Sequence, residues 1–216
     1  LAETGRPAEA LPYLETAVRL RPRHVGVLNN LGNVLAALGR FDEAMAVYER
    51  ARAENPNHAD TWNNLGVALG MQGRLSEALS CLREAIRLRP DHGPTYNNLG
   101  NALAALGHWA EAEDAFRKAL TLNPRDARAW NNLANVLLEV GRLPAAEEAY
   151  RQALTIDPRN PETLFNLAQL RLRQGRLRET QDLLREALRL RPDYREAREQ
   201  LQRLPAVPGT RPETPE

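Results

Sequence analysis

The sequence predicts an all-α solenoid of antiparallel helix pairs, and three ladders of residues in register predict it. Prolines stand at Pro22, Pro56, Pro90, Pro124, Pro158 and Pro192, each 34 residues after the last. Glycines keep the same period at Gly5, Gly39, Gly73, Gly107, Gly141 and Gly175, as do alanines at Ala17, Ala51, Ala85, Ala119, Ala153 and Ala187. A fixed period of this length marks stacked supersecondary units that share a continuous core.

Taken in order, residues 1–24 are a partial leading repeat, mostly its second helix. Residues 25–192 hold five tandem repeats of 34 residues. In each, one amphipathic segment runs from a proline to the next glycine and a second from that glycine to the next proline. Ala59–Gln72 and Leu75–Arg89 are one such pair. Their apolar residues have helical spacing: Trp62, Leu65 and Leu69, then Leu75, Ala78, Leu82 and Ala85. Gly73 supplies the positive φ that ends the first helix, and Pro90 follows the end of the second. Asp126 and Asn160 are N-cap residues, while Pro144 and Pro161 suit a first helical turn. Small residues let the paired helices approach: Gly32, Gly66, Gly100, Ala134 and Ala168 on first helices, Ala44, Ala78, Ala112 and Ala146 on second ones. The aromatics Trp62, Tyr96, Trp130, Tyr48, Phe116 and Tyr150 fill the remaining core. Residues 193–204 form a polar capping helix, and 205–216 a Pro-rich disordered tail or linker. The chain has no initiator Met and begins inside a repeat, so it reads as a piece of a longer protein with further repeats upstream.

Charge and composition narrow the function. Twenty-nine basic and 28 acidic residues are intermixed, for a net charge of +1. A nucleic-acid binder would carry a basic excess or stripe, so none is expected as a partner. No apolar run reaches the roughly 18 residues that span a membrane, so no insertion is expected. No signal peptide is visible either, and the cytoplasm is favoured without being fixed. Cys81 stands alone in an apolar helical stretch and reads as a buried structural thiol. His24, His58 and His92 also recur at the period, but equivalent places in stacked repeats lie on the order of 10 Å apart. A metal–nitrogen bond is about 2 Å, so these are loop residues, not metal ligands. The sequence holds no catalytic constellation and implies no cofactor.

Asparagine is the residue that speaks to binding. A first column holds Asn29, Asn63, Asn97 and Asn131, and a second Asn30, Asn64, Asn98, Asn132 and Asn166. A third holds Asn33, Asn101 and Asn135, interrupted by Val67 and Gln169. Asn is a poor helix former, so something other than propensity selects it. A primary amide offers one donor group and one acceptor on a short arm, which suits the N–H and C=O of an extended polypeptide. Each bond adds only about 0.5–1.5 kcal/mol net, so a row is needed, and the repeat supplies one. The second and third columns also suit ties between neighbouring helices. The first column is the stronger pointer to a groove. Towards the C-terminal end, Arg128, Glu139, Glu162 and Arg173 make the face more charged, and Phe165 replaces Asn.

The run Trp62-x-x-Leu65-Gly66-x-x-Leu69, followed by Ala78-x-x-x-Leu82 and Pro90, resembles the tetratricopeptide-repeat (TPR) signature. The resemblance implies a right-handed superhelix whose first helices line the concave face, and hence a scaffold that binds a protein or peptide there. The tract Asn-Asn-Leu-Gly-Asn at 29–33 and 97–101 is similar to repeats of O-linked N-acetylglucosamine transferases and their bacterial relatives. That resemblance implies an alternative, the substrate-recruiting arm of a larger glycosyltransferase whose catalytic domain lies elsewhere. The carboxylate clamp of co-chaperone TPR domains does not fit, because Asp60, Asn64, Pro94 and Asn98 stand where that clamp includes cations. A further alternative is self-association through the uncapped N-terminal end.

Overall fold

The structure, a computed structural model, describes residues 6–205. Gly5, the end of the leading helix expected before it, and the tail beyond Pro205 lie outside the described residues. Among the described residues all regular structure is helical. The chain divides into two compact units, Leu1–Pro124 and Arg125–Glu216.

The first unit carries α1 (Pro7–Leu20), α2 (Val25–Ala37), α3 (Phe41–Glu54), α4 (Ala59–Met71), α5 (Leu75–Leu88), α6 (Gly93–Ala105) and α7 (Trp109–Leu122). The second carries α8 (Ala127–Glu139), α9 (Leu143–Ile156), α10 (Pro161–Arg173), α11 (Leu177–Leu190) and α12 (Arg195–Arg203). Helices pair as α2/α3, α4/α5 and α6/α7, then α8/α9 and α10/α11. Within the first unit α2 also touches α4 and α4 touches α6; within the second, α8 touches α10. No described helix is long and apolar enough to cross a membrane.

Each pair turns at its glycine. Gly39, Gly73, Gly107, Gly141 and Gly175 all have φ between 72° and 76°, a left-handed conformation that costs an L side chain about 1 kcal/mol or more. Gly73 N–H reaches the Gly70 carbonyl at 3.0 Å, and Arg74 N–H the Leu69 carbonyl at 3.0 Å, closing the C-terminus of α4. Asp126 caps α8, its Oδ1 accepting from Arg128 N–H at 3.0 Å and Ala129 N–H at 3.2 Å. Asn160 caps α10 through Thr163 N–H at 3.0 Å.

The small residues admit large neighbours. A Cβ on Gly100 would lie 2.6 Å from Phe116 Cε1, and one on Gly66 would lie 2.8 Å from Leu82 Cγ. Tyr48, Phe116 and Tyr150 are accordingly buried. The aromatics of the first helices differ from expectation: Trp62, Tyr96 and Trp130 are only half-buried. Two of them reach back over the preceding loop, Trp62 Nε1 donating to the Pro56 carbonyl at 2.7 Å and Tyr96 Oη to that of Pro90 at 3.1 Å. Their polar ends need a partner when the ring is partly covered, and the proline carbonyl supplies one.

The ends of the described chain are unlike. On α1, Tyr13 and Leu20 are 70% and 75% exposed. In the second unit Ala168, Leu184 and Ala197 form a core over which Phe165, Tyr194 and Leu201 pack. Phe165 is thus engaged by Tyr194, with ring centroids 5.1 Å apart.

Candidate functional site

The asparagine columns lie on α2, α4, α6, α8 and α10, and the three columns have different surroundings. Within each unit, Asn29, Asn63 and Asn131 of the first column lie on the flank that meets the next first helix. Asn29 is 5% exposed; its Nδ2 donates to the Val25 carbonyl at 3.1 Å and to Thr61 Oγ1 on α4 at 2.8 Å. Its Oδ1 is buried with no hydrogen-bond partner among the described residues. Asn97 is 7% exposed. Asn63 donates to Asn64 Oδ1 at 3.1 Å and accepts from Asn98 Nδ2 at 3.0 Å. In the second unit Asn131 likewise donates to Asn132 Oδ1 at 3.4 Å and accepts from Asn166 Nδ2 at 3.1 Å. The column expected to be the strongest groove signal therefore spends much of its hydrogen bonding between helices.

The second and third columns face outward. Asn30, Asn33 and Asn101 are exposed, whereas Asn64, Asn98, Asn132, Asn135 and Asn166 are half-buried. Asn33 Oδ1 accepts from Tyr48 Oη at 2.7 Å and from Asn64 Nδ2 at 2.9 Å. Tyr150 Oη makes the equivalent bond to Asn135 Oδ1 at 2.6 Å. Burial pushes both tyrosine hydroxyls well above their usual pKa, so they stay protonated and donate. With both lone pairs of Asn33 Oδ1 engaged, its Nδ2 is the group left open. Among the described residues Asn30 also keeps its whole amide, and Asn98 its Oδ1, without a protein partner.

Between these amides in the first unit lie two recesses. One, of about 300 Å³, is lined by Asn33, Ala36, Phe41, Tyr48, Asn64, Val67, Ala68 and Met71. The other, of about 200 Å³, is lined by residues of α4, α5 and α6, among them Val67, Gly70, Met71, Leu75, Asn98 and Ala105. Val67 and Met71 belong to both, and Met71 is 67% exposed. Neither lining contains a residue that is charged at neutral pH, since burial keeps the Tyr48 hydroxyl protonated. In the second unit the positions matching Met71 are Glu139 and Arg173, which pair at 2.8 Å while Arg173 Nη1 also donates to the Leu138 carbonyl at 2.9 Å.

Other residues singled out in the sequence have structural surroundings. His24, His58 and His92 are loop residues as expected, each at the N-cap position just before a first helix. His24 Nδ1 accepts from Val27 N–H at 3.3 Å; in His58 and His92 the ring nitrogen lies 3.1 and 2.7 Å from Thr61 and Thr95 Oγ1. Burial lowers the pKa of His92, helped by the Arg89 charge. Among the described residues no three His, Cys, Asp or Glu side chains come together. Burial pushes the Cys81 thiol up to about 11. Two arginines that close second helices form ion pairs, Arg89 with Asp60 and Arg191 with Glu162. One network escaped the sequence reading. Arg171, 9% exposed, binds Glu147 at 2.6 Å, Gln174 at 2.8 Å and Glu179 at 3.1 Å. Its charge and hydrogen bonds draw the Glu147 carboxyl down to about 2. Spacings of 24 residues cross from one repeat to the next, outside any local motif.

Comparison with known proteins agrees with this architecture. Tetratricopeptide-repeat models match residues 1–59 and 57–125. The model of the C-terminal domain of cilia and flagella-associated protein 70 matches residues 92–215. No curated protein matches the chain. TTC0263, a thermophilic TPR protein of Thermus thermophilus, is 28% identical with a TM-score of 0.74, over 83% of this chain and 97% of that one. The pilF protein of Pseudomonas aeruginosa is 23% identical with a TM-score of 0.76, over 93% and 91%. YrrB, a TPR protein with an unusual peptide-binding site, is 20% identical with a TM-score of 0.63, over 88% and 97%. With its period, helix pairs and matched segments in agreement, the chain belongs to the tetratricopeptide-repeat family.

Proposed function

We propose that this protein–protein interaction scaffold holds an extended polypeptide along the first helices of its N-terminal unit, with asparagine amides on the backbone and the two recesses beneath. One observation carries the reading: uncharged recesses sharing Val67 and Met71 lie beside amides whose Nδ2 or Oδ1 is not spent within the protein. Asn30 and Asn33 are the open donors at one side, and Asn98 Oδ1 is the open acceptor at the other. Asn29 supports the site from behind, its bond to Thr61 holding α2 and α4 in register. A peptide-binding site on YrrB is compatible with this, since that protein shares the fold.

The test is a selection of peptides on the wild-type protein, followed by affinity measurements on the double variant Asn30→Ala, Asn33→Asp. Aspartate at 33 keeps an acceptor for Tyr48 and Asn64 but removes the open amide donors, so the fold is preserved. Selected peptides should bind about tenfold or more weakly, the loss of one to two hydrogen bonds. Failure to enrich any peptide, or equal affinity for the variant, would sink the reading.

A second reading, self-association, rests on α1. Its Tyr13 occupies the place held in later second helices by Val47, Cys81 and Ala115, all buried, yet it is 70% exposed. Sedimentation over a range of concentrations decides it, and a constant monomer mass removes it.

A further inference from the structure

We infer that the polypeptide held by the N-terminal unit binds as a polyproline-II segment, presenting two uncharged apolar side chains three residues apart to the recesses on either side of Met71. The inference rests on the peptide-binding reading above and adds the ligand's conformation and spacing. Four observations lead to it.

First, size. The recesses measure about 300 and 200 Å³, and an apolar cavity of about 150 Å³ accommodates a benzene ring. Each can take one Leu- or Phe-sized side chain.

Second, charge. No residue charged at neutral pH lines either recess, and an isolated charge buried without a partner is strongly disfavoured. In the C-terminal unit the equivalent positions carry the charged Arg173–Glu139 pair instead. Val67 and Met71 thus keep an apolar stretch open where the third asparagine column is interrupted. The complementary partner is neutral.

Third, spacing. One recess lies between α2 and α4 and the other between α4 and α6, so they are one helix-to-helix step apart, about 8–10 Å. A β-strand returns a side chain to the same face every two residues, about 7 Å, or every four, about 13 Å, and neither fits. A polyproline-II chain has three residues per turn at about 3.1 Å each, returning a side chain to one face every 9 Å or so.

Fourth, the backbone. Asn33 and Asn98, which line the recesses, leave an open donor and an open acceptor, and Asn30 stands three residues before Asn33 on α2. An α-helix could also place two side chains about 10 Å apart, at i and i+7, but its peptide groups are already paired internally. Polyproline II has no internal hydrogen bonds, so its carbonyls and any non-proline N–H groups remain available.

Short fluorescent peptides of proline and glycine, carrying two leucines two, three or four positions apart, provide the test. A helix-forming peptide with leucines seven apart is the control. Fluorescence anisotropy on the full chain should show the three-apart peptide binding about tenfold more tightly than the others. The variant Val67→Asn completes the asparagine column, as Asn33 and Asn101 do naturally, and fills the shared wall with an amide. It should keep its melting temperature and lose the spacing preference. Equal binding of all spacings, or a preference that survives Val67→Asn, overturns the recess assignment while leaving the peptide groove standing. Tightest binding of the helical control overturns the polyproline-II conformation. Absence of binding by every peptide overturns this inference, and the wild-type peptide selection described above separately decides the groove itself.

Discussion

Glu147 and Arg171 show how much one pair of side chains does here. The carboxyl sits at about 2 against an ordinary value of 4.5, because Arg171 donates two hydrogen bonds to it and Gln174 and Arg151 assist. A folded-state value below the unfolded one stabilises the fold above about pH 4.5, and this contribution fades as pH falls from there toward 2. Glu147→Gln should therefore be less stable than wild type near neutral pH, by about 1–3 kcal/mol for a lost charged hydrogen-bond partner. Thermal melts between about pH 6 and pH 2 should show the two proteins converging as the wild type loses its advantage. A constant gap would assign the difference to packing instead. Gly100 makes a second, purely steric case. With Phe116 Cε1 2.6 Å from where a Cβ would be, Gly100→Ala forces the ring aside and should cost about 1–3 kcal/mol in chemical denaturation. Ala134 and Tyr150, which stand at the equivalent positions one repeat on, are both fully buried, so the same junction can be built with a methyl group. The combined change Gly100→Ala, Phe116→Tyr tests that: recovery of stability would mean the ring repositions as a unit, with its hydroxyl directed at Asn101.

At the scale of the helices, boundaries were legible because they depend on single backbone positions. Gly73 ends α4 at φ 75°, and Asp126 opens α8 with two accepted N–H bonds. Gly73→Ala and Asp126→Ala should each cost about 1 kcal/mol, the first through left-handed strain and the second through unmade caps. Differential scanning calorimetry on the two variants checks this, and an unchanged midpoint for Gly73→Ala would mean the turn can adopt another conformation. The caps His24, His58 and His92 were less legible, since a ring nitrogen is not a usual N-cap acceptor and two of the three engage a threonine hydroxyl instead. The asparagine columns were legible as columns but not as bonds. A helical period places Asn29 and Asn30 on adjacent flanks; it does not say that the first flank meets Thr61 and the second meets solvent. That division depends on how one first helix leans on the next. The recesses were invisible for a related reason: Val67, Met71, Phe41 and Leu75 come together only when α3, α4 and α5 are packed.

Among the described residues, helices within each unit touch only their near neighbours along the chain, which sets how damage spreads. In a globule with one core, removing a central side chain weakens every element. In a repeat array stability is close to a sum of local terms and nearest-neighbour interfaces, so a lesion stays near its origin. Leu184 is fully buried between Ala168 and Ala197, where α10, α11 and α12 share a core. Leu184→Ala removes that contact and should cost about 2–5 kcal/mol locally. Amide hydrogen exchange is the measurement that separates local from global loss. Exchange should accelerate in α10, α11 and α12, while α2 to α5, whose core is built around Leu28, Tyr48 and Leu69, keeps its protection. Equal acceleration across both sets would show that the chain unfolds as one cooperative body. Retained protection would mean that the peptide binding proposed for α2, α4 and α6 survives Leu184→Ala, a second readout of the same independence on the same protein.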